Sequence, residues 1–133
     1  MRKVIALGCL LATGSVCGAV PDEAKLRDAM KLIGPATGGL GKKLKAKDAT
    51  AADDAKKLQA WFANVQKFWK AKKTDDAVVL SKTAVTEFKL VSKLSAAGKW
   101  EDAETSFKKA TATCAACHGT HREKAADGSW KVK

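Results

Sequence analysis

Residues 100–121 read WEDAETSFKKATATCAACHGTH, and two patterns run through them at once. Trp100, Ala103, Phe107, Ala110, Cys114, Cys117 and His121 follow at steps of three or four, the spacing of one helix face. The stretch also contains Cys114-Ala115-Ala116-Cys117-His118, a C-x-x-C-H sequence, the pattern of covalent haem attachment. Two thiols three residues apart on a helix share a face, so each can form a thioether to a haem vinyl group. The adjacent His118 then offers a ring nitrogen to the iron.

Three other chemistries use such residues. A thioredoxin-type redox pair needs a strand-helix-strand setting, and no stretch of this chain alternates like a strand. Zinc would have Cys114, Cys117, His118 and His121 as donors. All four lie within eight residues of one rigid helix, which cannot easily wrap them tetrahedrally around one ion. A plain core pair of cysteines is the third. Haem attachment is favoured over these because it consumes both thiols and uses the neighbouring imidazole.

Outward from this helix the chain continues in the same style. Ala, Lys, Leu and Glu dominate, as in helical proteins. Leu26, Met30, Ile33, Leu40 and Leu44 form the stripe of a first helix, in which Pro35, beside Gly34, Gly38, Gly39 and Gly41, predicts a kink or break near 34–39. Those glycines would let the backbone approach a flat ligand or a neighbouring helix closely. A second helix is expected from Thr50, with Asp53 completing a variant capping box, and buries Ala55, Leu58, Phe62, Val65 and Trp69. A third opens at Thr74 or Asp75, buries Ala77, Leu80, Ala84, Phe88 and Val91, and stops at Gly98. The fourth should fray near Gly128. Trp61, Trp69, Trp100 and Trp130 are expected in the core or at bundle edges. Four stripes joined by short polar turns predict an all-α fold, an antiparallel four-helix bundle with its haem c near the C-terminus. Residues 97–103 with Phe107 and Ala110 echo a tetratricopeptide helix pair, but no repeat near 34 residues accompanies them.

The first residues read as a secretory signal: Arg2 and Lys3, an apolar run from Val4 to Ala12, and Cys17-Gly18-Ala19 as cleavage site. The run is too short to span a bilayer. A lipidated Cys9 or Cys17 fits less well, since Gly14 stands where Leu is usual before Cys17. Cleavage after Ala19 would divide the chain into a leader, 1–19, and one mature domain, 20–133, a soluble protein of the periplasm. Of the four cysteines only Cys114 and Cys117 would then remain, and haem attachment leaves no spare thiol in an oxidising compartment.

The whole chain carries a formal charge of +11; the leader removes two of 25 cations and none of 14 acids, leaving +9. Such a surface suits a redox protein partner with an acidic docking face, in an association that weakens with salt. Export and the scarcity of clustered arginines argue against nucleic acid.

His118 supplies one axial ligand, and the opposite side of the iron decides function. His121 lies less than one turn further along the same helix, on the same side as His118. Met30 is the one methionine left after the leader. At a core spacing it would ordinarily be packing, but with a haem in the bundle it becomes the second candidate ligand to the metal. Thioether ligation favours ferrous iron and closes it to outside ligands, leaving one-electron transfer rather than enzymatic bond chemistry. Arg27 and Lys31 flank Met30 and could pair with propionates or serve as solvated cations.

The run Cys114-Ala115-Ala116-Cys117-His118-Gly119-Thr120-His121-Arg122 resembles the class II c-type cytochromes, the cytochrome c prime group. Their haem site lies near the C-terminus of a four-helix bundle, typically as C-x-x-C-H-x-x-[aromatic]-R. The likeness covers the mature chain in layout, with motifs only in this run and the first helix. His121 stands where the family usually has Tyr or Phe, a change that could add a protonation event near the haem. The resemblance implies that Arg122, one turn beyond His118, lies near the proximal face or the propionates; alone it reads equally as a cation balancing a helix C-terminus. High-spin members leave the distal side open and bind nitric oxide or carbon monoxide. Low-spin members ligate the iron through a methionine in a stretch like M-K-x-x-G, followed by L-G. Met30-Lys31-Leu32-Ile33-Gly34 and Leu40-Gly41 resemble that branch. The expectation is therefore a monohaem electron carrier with His118 and Met30 on iron. The alternatives are a five-coordinate gas-binding protein and a docking module feeding one dehydrogenase or oxidase. Class II relatives often dimerise through the first two helices, so a homodimer is possible for this chain.

Overall fold

The computed structural model describes residues 21–133, so the expected leader lies outside the described residues. Four helices follow in order: α1 Glu23–Lys45, α2 Ala51–Ala71, α3 Asp75–Ala96 and α4 Trp100–His121. Contacts between their ends fix the directions. Lys43 near the end of α1 pairs with Asp54 at the start of α2, and Lys72 just past α2 reaches Glu23 at 3.7 Å. Ser92 late in α3 donates to the Ala52 carbonyl at 2.8 Å. His121 ends α4 beside Asp76 at the start of α3. Each neighbour therefore runs opposite to the last, as short turns require. α2, α3 and α4 pack closely in sequence, while α1 and α4 meet sparsely.

Three turns reverse the chain by one device. After α3, Gly98 (φ 71°) donates to Ser95 and Lys99 to Leu94, which satisfies the last carbonyls. Lys47 (φ 54°) and Lys73 (φ 56°) do the same after α1 and α2, in a left-handed conformation that glycine tolerates better. The core is the predicted set of stripes: Leu40, Leu44, Leu58, Phe88 and Val91 are fully buried.

Several expectations are corrected. α1 runs unbroken through Pro35. Proline deprives the Lys31 carbonyl of its partner, but Lys31 and Pro35 both lie on the exposed side of α1, where water can replace it. The capping box of α2 does not form, because the Thr50 hydroxyl and N–H both donate to Asp48 at 2.8 Å. Leu80 is only half-buried, and Ser81 takes the inner position, its hydroxyl donating to the Ala77 carbonyl at 2.7 Å. The chain beyond α4 does not fray. It forms an antiparallel hairpin, β1 Arg122–Lys124 with β2 Trp130–Val132, so Arg122 begins a strand instead of extending the helix. Trp130, on that hairpin, is 43% exposed and not core; Trp69 is buried, and Trp61 and Trp100 pack partly against the core.

Candidate functional site

The antiparallel order brings the start of α1, the end of α2, the start of α3 and the end of α4 to one end of the bundle. There the helices and the segment after them line a half-open cavity of about 910 Å³. All six residues singled out in the sequence line it: Cys114, Cys117 and His118 from α4, Arg27 and Met30 from α1, and Arg122 from β1. Phe62, Val65, Trp69 and Leu80 complete the apolar walls. On α4 the stripe delivers the cysteines there because the buried positions before them are small (Ala103, Ser106, Ala110), letting the helix lie close to its neighbours.

Both thiols are free and half-buried. Burial lifts the Cys114 thiol above its ordinary pKa. Cys117 is pushed up to about 11, first by burial and then by the charges of Asp76 and Cys114. They therefore stay protonated at neutral pH, the opposite of the lowered thiol that a redox pair requires. The His118 imidazole is held below its usual pKa by burial and then by Arg122, so it is neutral with a lone pair to give. Among the described residues no group of three or more His, Cys, Asp and Glu side chains converges to hold an ion.

The site suits a broad flat apolar group with acidic substituents. Its volume lies toward the upper end for cofactor sites. A Cβ added at Gly34 or Gly38, both on the cavity wall, would meet nothing within 4 Å. Arg27, Lys31, Arg122, Lys131 and Asp127 line the cavity; Lys31 pairs with Asp28 and Lys131 with Glu123, each at 3.3 Å, which leaves the guanidinium groups of Arg27 and Arg122 to match bound carboxylates. The buried Trp69 on this wall has no partner for its Nε1–H.

The His121 ring packs among aromatic and acidic neighbours. Its ring tilts on Trp69 with centroids 5.0 Å apart, and its Nε2 lies 2.7 Å from Asp76 Oδ2. That bond is the first cause holding the Asp76 carboxyl below its usual range. Arg122 reaches the cavity from the strand, with its guanidinium 3.8 Å over the Trp130 ring. The sequence reading missed the hairpin side of the site, Asp127, Ser129, Trp130, Lys131 and Val132. The available signal was Asp127-Gly128, a turn dipeptide followed by Trp130-Lys131-Val132, a short run with two β-formers. No protein-family model, curated protein or solved structure matches this chain.

Proposed function

We propose that this chain is a monohaem c-type cytochrome of the class II kind, an exported one-electron carrier. One observation carries the proposal: a single cavity of haem-compatible size collects Cys114, Cys117, His118 and Met30 from two different helices. The two thiols would hold the group by sulfur–carbon bonds, and the His118 imidazole and Met30 sulfur would be the donors to its iron. Bound haem supplies an iron that alternates between ferric and ferrous states. The protein's part is binding and insulation. Phe62, Val65 and Trp69 keep water from the apolar face, and Arg27 and Arg122 offer positive charge for propionates. His121, tied to Asp76, holds the last turn of α4 against α2 and α3. The unbroken α1 supports Met30 ligation, because the cavity-facing stripe continues across Pro35. No helix among the described residues is long and apolar enough to cross a membrane. With the basic charge, this suits a carrier that docks on acidic redox proteins, with no nucleic acid and no bond-making chemistry of its own.

The test is periplasmic expression followed by extraction in acidified organic solvent. Colour should stay with the protein, and Cys114→Ser with Cys117→Ser should release it. Loss of all colour from the unaltered chain overturns the proposal. Ferric electron paramagnetic resonance should be low-spin, and Met30→Ala should convert it to high-spin with carbon monoxide binding after reduction. A high-spin spectrum in the unaltered chain would favour the gas-binding alternative.

A further inference from the structure

Electron transfer as proposed does not call on residues 123–133, yet they wall one side of the cavity. β1 leaves α4 directly, Arg122 being already extended at φ −126° and ψ 136°. The chain turns over Ala125–Gly128, where Gly128 (φ 81°) donates to the Ala125 carbonyl at 2.9 Å and Asp127 accepts from Ser129. β2 then returns with Trp130 opposite Lys124, and meets α1. The hairpin thus reaches from the end of α4 to α1, across the sparsest seam of the bundle.

Its fastenings are few. Val132 packs on the core, the Lys133 N–H donates to the His121 carbonyl at 2.9 Å, and Arg122 stacks on Trp130. Two strands of three residues do not hold together unaided in water. The opposite walls are closed by the tight packing of α2, α3 and α4. Of the seams between neighbouring helices, the one between α1 and α4 is the sparsest, and the hairpin lies beside it on the cavity wall.

We propose that residues 122–132 form a hinged strap, open while the planar cofactor enters and closed onto α1 once Cys114 and Cys117 hold it. The identity of the entering group rests on the haem reading. The movement belongs to the chain alone and is measured without cofactor. In the reduced, cofactor-free full chain, Cys114 and Cys117 are labelled with pyrene maleimide or with iodoacetamide, and their rates followed by mass spectrometry. A chain ended after Arg122 and the variant Trp130→Ala should react about tenfold faster with the bulky reagent, as expected for losing a stacked cation–aromatic contact. Iodoacetamide should show a smaller change, and helical circular dichroism none. Rates within a factor of about two overturn the strap, since local opening would then not limit access. Should the shortened chain lose its helical signal, Trp130→Ala and Arg122→Gln decide by the same criterion. Gated thiols in a chain that never takes up haem would support the strap and refute the cytochrome. Ungated thiols in a chain that does would refute the strap alone.

Discussion

The two ends of the bundle are built from the same helices to different ends. At one, Leu40, Leu44, Leu58 and Val91 are almost without exposure, and Gly41 admits the Phe107 ring so closely that an added Cβ would stand 3.2 Å from it. Lys43 and Asp54 tie α1 to α2 there. At the other, Met30 is half-buried, Leu80 has lost its place to a serine, and Gly34 and Gly38 face open space. The packed end can hold the fold while the open end stays available, so stability and chemistry are divided along the length of each helix.

Substitutions should expose that division. Leu58→Ala, fully buried in the packed end, should cost about 2–5 kcal/mol in urea unfolding of the cofactor-free chain. Leu26→Ala, on the cavity wall, should cost less, because a side chain beside a void has fewer contacts to lose. Equal losses would mean that the cavity collapses in solution.

The glycines offer a finer comparison. Gly38→Ala fills empty space in a helix and should stabilise the cofactor-free chain by about 1 kcal/mol. Gly41→Ala gains the same propensity but presses on Phe107, whose ring is braced edge-on by Phe88, an overpacking worth about 1–3 kcal/mol in the other direction. Gly38→Ala should therefore melt above Gly41→Ala. The reverse order would show that Phe107 yields freely.

The smallest effect concerns acid. The Asp76 carboxyl is held low by His121, so its contribution is present above the ordinary carboxylate pKa of about 3.9 and fades as pH falls below it. Asp76→Asn should be less stable than the unaltered chain at neutral pH, and the two unfolding curves should converge toward about pH 2. A gap that persists in acid would assign the loss to packing.

The helices, and the placing of Cys114, Cys117 and His118 on one of them, could be read in advance because each rests on a local rule: apolar residues every three or four positions, and two cysteines with a histidine at fixed spacing. What escaped was set by context. Thr50 and Asp53 form a capping pattern, yet Asp48, two residues earlier, claims the hydroxyl first. Pro35 breaks helices where its orphaned carbonyl is buried; here that side of α1 is wet. The strands are three residues each, Arg-Glu-Lys and Trp-Lys-Val, too short and too charged for alternation to register. Leu80 continues a stripe, but the stripe meets a cavity there. Arg27 and Arg122 were expected beside the bound group, and the antiparallel order of the helices brings both to one space.

Cys114, Cys117 and His118 sit in the last two turns of the last helix. A ribosome makes them only after α1, α2 and α3 are complete, when three of the four walls can already have condensed. A nascent chain interrupted earlier owns most of the bundle and none of these three side chains. On the proposed haem reading, colour would be a receipt issued only to molecules read through to the end of α4.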